Sequence, residues 1–483
     1  MDWVSQHGIQ LLLLAAYAGM LLRHAWIGHQ KTSSLPDYLV AGRTMGGVVI
    51  GLSYYATFLS TNSFVGMAGK SWEVGLIWYI KAFIYGGACL LAWTFVAPRF
   101  VAKVSEYNSL TVADFLGYRY GSMLLRRISA VVICFASICY LIAVYKGSAL
   151  ALGKFLDLDY QVAAVLVFVV VTAYTLAGGF RSVVLTDAVQ GLLMAVGAVG
   201  LAAAVLWKGG GLFAVLDNIK QRDPQLVSWE GHMPLLTVLG IALAGGLKFM
   251  VEPRQLSRFY GLKDMPALRR GRTLAPALIF VTYLLLLPIG AFAHALIPES
   301  AITDSDEVVP YLLGTAQLFG PMLSSLFLLV LVSAALSSLD SVLLVAAASV
   351  DHDLILPDSG DSRAIARTRI WVFILSLASM LLALNPFADI VEITAFSGSV
   401  YGACFLPSLV FGLYWKRGTA AGSLACVVAG AATVVGWYLA RSSGRTSLHE
   451  VYPGVAVGVL TYFGVSLITS PNAGSDQPRS ATR

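Results

Sequence analysis

Charge is what this sequence has least of. Asp, Glu, Lys and Arg make up 12% of its 483 residues and hydrophobic residues 58%, whereas soluble domains run near 25% charged. Length alone would suggest about three soluble domains. A chain so poor in charge cannot cover three globular surfaces with solvated groups, so the composition indicates one membrane-embedded bundle instead. Metal-ligand spacing is absent as well: Cys89, Cys134, Cys139, Cys404 and Cys426 fall inside apolar runs and read as small buried hydrophobes. The seven histidines are scattered, and neither H-E-x-x-H nor G-x-S-x-G occurs, so a metalloprotease or serine-hydrolase centre has nothing to work with and no enzyme is expected. "GMAGKS" (66–71) echoes a phosphate-binding loop, but Phe64 stands where that pattern needs glycine and no strand precedes it. No basic residue precedes the first apolar run, which therefore reads as a retained helix and not a cleaved signal. The net charge of +6 points only weakly to nucleic acid, because the cytoplasmic loops of membrane proteins collect Lys and Arg anyway. The partners expected are a lipid bilayer and a small solute.

What is there is a series of long apolar runs. A helix needs about 20 such residues to cross a bilayer. Thirteen candidate spans lie near 5–23, 45–69, 74–98, 123–150, 157–177, 182–206, 234–258, 272–296, 320–350, 366–385, 388–414, 418–440 and 450–470. The fold class expected is all-α and integral to the membrane, one transporter-like domain over 1–470 with a disordered cytoplasmic tail at 471–483. With the N-terminus outside, the inner loops and tail hold 22 Lys and Arg residues against 7 in the outer loops. That asymmetry favours N-out and C-in, as an odd span count requires. The inner set includes Arg254 and Arg258. "SLTVADFLGYRYGS" (109–122) reads as a short amphipathic inner helix, and 208–234 as an outer helix and loop.

Three stretches carry chemistry. In "LVSAALSSLDSVLLVAAASVDHDL" (331–354), Ala334, Ser337, Ser338 and Ser341 share one helical face, with Asp340 at its edge. Small residues on a face also suit close helix contact. Hydroxyls, carbonyls and a carboxylate are hard oxygen donors, however; Ca²⁺ and Mg²⁺ would usually want more carboxylates, so the set suits Na⁺. The second span crowds Ser53, Thr57, Ser60, Thr61, Asn62 and Ser63 onto one helix. The seventh carries Gly245-Gly246, Lys248, Phe249 and Glu252-Pro253. Both read as interruptible, and they lie five spans apart, the pattern of two inverted five-helix repeats whose first helices break at a binding site. Lys248, near mid-span, needs an anion, water or a carboxylate such as Glu252, Asp187 or Asp340. Lys81 and Lys146 lie nearer the outer side, where snorkelling or pairing suffices.

With these stretches in place, the chain resembles the sodium:solute symporter family. The resemblance rests on "YTLAGGFRSVVLTDAVQ" (174–190), "AALSSLDS" (334–341), "YYATFLSTNSF" (54–64), "TVADFLGYRYG" (111–121) and "EPRQLSRFY" (252–260), in that family's order and over nearly the whole chain. It implies the leucine-transporter type of inverted-repeat fold, with repeat one about 45–206 and repeat two about 234–414. It implies a Na⁺ site made by carbonyls of Ala56, Leu59 and Ala334 and hydroxyls of Ser337 and Ser338. A second Na⁺ site, held by some members, would fall on Asp187, Ser337, Asp340 and Ser341. Gly178 and Gly179 would let the chain turn at the inner face, anchored by Arg181. Some amino-acid carriers have an aspartate where Phe58 stands, and sugar carriers a carboxamide where Ser63 stands, beside Asn62.

The function expected is Na⁺-coupled symport of a small organic solute, leaning to a carboxylate. Ser60, Thr61, Asn62, Ser63, Lys248 and Phe249 are the candidate solute contacts. Na⁺ is the coupling ion, and no organic cofactor is expected. A sugar or amino-acid symporter, and a transporter-like sensor without flux, are the alternatives.

Overall fold

Backbone polar groups have no water to bond with inside a bilayer, so apolar runs must satisfy them internally, as helices. The computed structural model describes residues 7–314, 318–355 and 361–470, and among these it contains no strand, only one isolated bridge between Met45 and Leu262. The expected tail lies outside the described residues, as does the beginning of the first expected span.

The helices run in chain order as α1 (Gly8–Gln30), α2 (Gly47–Phe58), α3 (Asn62–Val74), α4 (Leu76–Tyr107), α5 (Val112–Tyr120), α6 (Met123–Leu156), α7 (Tyr160–Leu176) and α8 (Gly178–Lys208). They continue as α9 (Leu212–Arg222), α10 (Leu235–Val251), α11 (Pro253–Tyr260), α12 (Met265–Ala293), α13 (Met322–Ile355), α14 (Ser362–Ala383), α15 (Ile390–Tyr414), α16 (Ala420–Ser442) and α17 (Val451–Thr469). Among the described residues, eleven single helices or helix runs are long and apolar enough to cross a membrane, and the bent pair α2–α3 makes a twelfth. The expected span at 157–177 is the apolar helix α7, shorter than those. The amphipathic helix expected at 109–122 is α5, and the helix expected after Lys208 is α9.

Burial separates an inner set from an outer one. In the most apolar stretch of α13, 83% of residues are buried, against 22% for α1. Residues such as Leu12, Leu22, Val196 and Leu460 stay exposed, as lipid-facing side chains do. The inner helices pack through small residues: Gly47 lies against the Ala267 backbone, and Gly398 against Ala244. No bulkier residue fits these contacts.

Helices α7 and α8 follow each other without a loop. The turn between them is made by Gly179, at φ 64° and ψ −177°, a conformation only glycine adopts without strain. Arg181 then donates to Thr44 Oγ1 at 2.7 Å and ties this turn to the chain entering α2. The face of the bundle where α1 begins is termed the N-face, and the face where it ends, which carries Gly179, Arg181 and α5, the C-face.

Candidate functional site

Two helix interruptions build the centre of the molecule. The first separates α2 from α3, whose axes bend by 58°. No proline causes it. Short polar side chains compete for the backbone instead: the Asn62 amide donates to Ser60 Oγ at 3.2 Å and the Ser60 amide to Ser63 Oγ at 3.4 Å. Beyond the break, Asn62–Met67 forms a π-helical turn. The carbonyls of Ala56, Thr57 and Leu59 thereby lose helical partners and turn toward α13. There Ser337 Oγ lies 3.2 Å from Ala56 O and 3.3 Å from Ala334 O, while Ser338 Oγ lies 3.4 Å from both Thr57 O and Leu59 O.

The oxygens expected from Ala56, Leu59, Ala334, Ser337 and Ser338 therefore fall into a cluster of two neighbouring groups, Ala56 O and Ala334 O about Ser337 Oγ, and Leu59 O with Thr57 O about Ser338 Oγ. Each hydroxyl has one proton and faces two carbonyls, so the cluster holds more acceptors than donors. Its separations exceed the usual 2.7–2.8 Å of an O–H···O bond. Oxygens held about 2.4 Å from one cation and at right angles lie about 3.4 Å apart, which is the spacing here.

The second interruption separates α10 from α11. Pro253 has no N–H and pushes its predecessor out of helical space; Glu252 is extended at φ −71°, ψ 125°. Of the two places named in this span, Glu252-Pro253 is the break and Gly245-Gly246 is unbroken helix. Those glycines instead make room for α4: a side chain at Gly245 would strike the Tyr85 hydroxyl, and one at Gly246 would meet Ile84. The break frees Glu252 to pair with Arg254 (Nε–Oε1 2.8 Å), so Glu252 is not the partner of Lys248. Arg254 also donates to Thr57 O at 2.8 Å, joining the two interruptions.

Lys248 is 3% exposed and has no carboxylate within ion-pairing distance among the described residues. Its ammonium lies 4.4 Å from the centre of the Tyr140 ring, over which Arg254 also stands at 4.0 Å. Lys248 and Asn62 line a small cavity with Phe58, Tyr85, Tyr140 and Tyr283, and Asn62 Oδ1 has no hydrogen-bond partner there. The other expected solute contacts point elsewhere. Ser63 Oγ is 2.7 Å from the Tyr283 hydroxyl, and Thr61 donates to Val144 O. Phe249 stacks on Phe58 at 3.7 Å between ring centres, and Ser60 caps the Asn62 amide.

Asp187 enters on α8 and is fully buried. Its Oδ2 accepts from Ser53 at 2.7 Å, Thr57 at 3.2 Å and Arg258 at 2.6 Å. Arg258 further bonds Ser53 Oγ and Ser341 Oγ, and Ser341 bonds Asp340. The guanidinium thus sits within the group formed by Asp187, Ser337, Asp340 and Ser341. Arg254 and Arg258 are 2% and 1% exposed, which corrects their assignment to an inner loop. An ion pair across 71 residues leaves no local trace, and Arg258 is, with Tyr85, Tyr140 and Tyr283, among the site residues that the sequence did not reveal. The available signal was the run Lys248, Arg254, Arg258 around a Glu-Pro break.

Ion pairs gather at both faces of the bundle. At the N-face, Lys70 pairs with Glu73 and Asp389, Lys146 with Asp306 at 2.7 Å, and Arg441 with Glu392 and Glu450. Lys70 is therefore no phosphate-loop lysine. Burial pushes the Asp306 carboxyl up to about 6, against the pull of Lys146. At the C-face, Arg126 bridges Asp114 at 2.9 Å and Asp353 at 2.8 Å, and Thr111 donates to Asp353. His352 stands beside these carboxylates, close enough for a metal site, but Arg126 already pairs with both.

Comparison with known proteins identifies the family. The Sodium:solute symporter family model matches residues 38–430. The chain is 27% identical over 468 residues to the osmoregulated proline transporter OpuE of Bacillus subtilis (strain 168), covering 95% of this chain and 94% of that one. It is 28% identical over 451 residues to the sodium/pantothenate symporter of Haemophilus influenzae, covering 91% of each. The fold is shared with a Na⁺-coupled sialic acid symporter solved in a substrate-bound outward-open state, at a TM-score of 0.80, 18% identity and coverage of 96% of this chain and 98% of that one. The chain belongs to the sodium:solute symporter family: it is a multi-pass membrane transporter, not an enzyme, and it couples solute movement to Na⁺.

Proposed function

We propose that the solute is a small carboxylate bearing an N–H or O–H group, held with its carboxylate on Lys248 and its donor on Asn62 Oδ1. The observation that carries this reading is the unpaired Lys248 ammonium in the cavity wall, 3% exposed. A buried ammonium without a counter-charge is costly, and the carboxylate that could have relieved it, Glu252, is bound to Arg254. Phe58, Tyr85 and Tyr283 suit a compact apolar body. Na⁺ binds the oxygens of Ala56, Leu59, Ala334, Ser337 and Ser338. At the second set Arg258 supplies the positive charge, so one Na⁺ accompanies each solute. The relatives named for proline and pantothenate carry solutes with a carboxylate, which supports the class without choosing within it.

The N-face is the outer face in this reading. Among the described residues, without Arg254 and Arg258, the basic residues still favour the C-face by 18 to 7, and basic residues collect inside. The two interrupted spans open two inverted repeats, about 45–206 and 234–414. One Na⁺ moving with a zwitterion carries charge and gains about 3.7 kcal/mol at 100 mV and a tenfold gradient. One Na⁺ moving with a monoanion carries none and gains only about 1.4 kcal/mol from that gradient. Proteoliposomes with an inward Na⁺ gradient test the proposal. Proline and pantothenate, as labelled acids and as their uncarboxylated counterparts (prolinamide, pantothenol), are the solutes. Na⁺-dependent uptake of an acid in preference to its counterpart is expected. Equal handling of acid and counterpart would overturn the carboxylate reading.

A further inference from the structure

A second lysine stands between the N-face and the cavity. Lys81, in the first turns of α4, is fully buried, and its ammonium has no hydrogen-bond partner. It lies 3.8 Å from the centre of the Trp78 ring and 5.6 Å from that of Tyr85. The titratable groups facing it are Asp389, Lys70 and His449. Asp389 is the only acid among them, and Lys70 holds it at 3.1 Å. Lys146, expected from the sequence to behave alike, found its partner in Asp306; Lys81 did not.

Its walls lead inward. Trp78 Nε1 donates to the carbonyl of Met67, and the Tyr85 hydroxyl contacts Met67 Sδ. Met67 and Tyr85 both line the cavity that holds Lys248. Aromatic faces stabilise a cation but leave its N–H donors unused, so the site is ready for an anion that brings acceptors. We propose that Lys81 is an entry subsite for the solute's carboxylate, walled by Trp78 and Tyr85 and occupied before the anion passes Tyr85 to reach Lys248. The proposal rests on the carboxylate reading of the cavity. It adds a station on the N-face side that opens when the Lys70–Asp389 and Lys146–Asp306 pairs part.

Trp78 is a built-in reporter, and the test needs no knowledge of the solute. The signal of Trp78 is the difference in fluorescence between wild type and Trp78→Phe, in full-length protein in Na⁺ buffer. Iodide, an anionic quencher, should quench this signal more strongly than neutral acrylamide. Acetate should relieve the iodide effect and acetamide should not. Lys81→Met, whose thioether packs well on aromatic rings, should lower the iodide constant about threefold or more and leave acrylamide unchanged. Lys81→Arg should restore it. Lys248→Gln should leave it intact, so failure of the cavity reading and failure of this one are read separately. Absence of iodide quenching at Trp78, quenching independent of Lys81, or no competition by acetate would each overturn the entry subsite. Should Lys81→Met not fold, the iodide, acrylamide and acetate series on wild type still decides.

Discussion

The two helix interruptions hold opposite chemistry. The α2–α3 break is built from neutral groups, with carbonyls of Ala56, Thr57 and Leu59 and hydroxyls from Ser60 to Ser63. The α10–α11 break is built from charges, Lys248, Glu252, Arg254 and Arg258. The neutral break concentrates oxygen lone pairs and invites a cation. The charged break uses two of its three cations to hold Glu252 and Asp187, leaving Lys248 over. The breaks touch through Arg254 and Thr57 O and through Arg258 and Ser53, so a shift of either is felt by the other. Coupling between Na⁺ and solute needs this kind of connection between sites.

The contrast can be broken most severely at Arg258. Its removal strands Asp187 as a buried carboxylate, a loss of about 3–5 kcal/mol. Arg258→Met should therefore lower the thermal unfolding midpoint in detergent more than any other single change here. Arg258→Met/Asp187→Asn should recover a large part of that loss. Additive losses in the double variant would mean that the pair is not what holds Asp187.

Next in size is Lys248. Loss of a charge-assisted hydrogen bond costs about 2–3 kcal/mol, roughly 30- to 150-fold in affinity. Lys248→Gln should weaken the transported acid by that factor and its uncharged counterpart little, as measured by solute binding. Equal losses would make the charged break structural only.

The neutral break gives a smaller effect of a different kind. Ser338→Ala removes one hydroxyl from the oxygen cluster and should raise the half-maximal Na⁺ concentration about tenfold, or about 1.4 kcal/mol. Discrimination between acid and counterpart should survive. An unchanged Na⁺ dependence in Ser337→Ala/Ser338→Ala would remove these hydroxyls from the coupling site.

The smallest effect lies outside both breaks. Asp306 holds Lys146 and the Ile390 amide, and its carboxyl is raised to about 6 by burial. Its ionised form, and so the Lys146 pair, is present above that value and lost as pH falls through it. Lowering pH from 7.5 to 5.5 should therefore loosen the N-face closure and change the uptake rate. Asp306→Asn should flatten the profile in that window, and a persisting step would assign it to another group.

Sequence reading reached the helices, the small-residue face of α13 and the polar break after Phe58, because each is a local pattern of spacing and side-chain type. For the second break it offered both Gly245-Gly246 and Glu252-Pro253 without choosing between them. Gly245-Gly246 lowers helix propensity, but Tyr85 packs against it and tertiary contact prevails, whereas Pro253 acts through covalent geometry that no packing removes. Asp187 was recognised as needing a partner, yet Arg258 could not be named, because folding alone brings α8 and α11 together. The same limit hid the difference between Lys81 and Lys146: both are lone lysines in apolar spans, and only the loop carrying Asp306 distinguishes them.

The π-helical turn at Asn62–Met67 has a consequence for chain length. A wide turn holds one residue more than the α-helical turn it replaces, so it stores a surplus residue within the span. Elsewhere in an α-helix, deleting one residue rotates everything beyond it by about 100° and turns buried faces outward. Within this turn the helix can absorb a single deletion by closing to α geometry, with α3 beyond still in register. Losing Val65 would thus shorten the span without misaligning Ser71 or Trp72, while drawing Asn62 away from the cavity. Membrane insertion would survive the deletion and solute recognition would not.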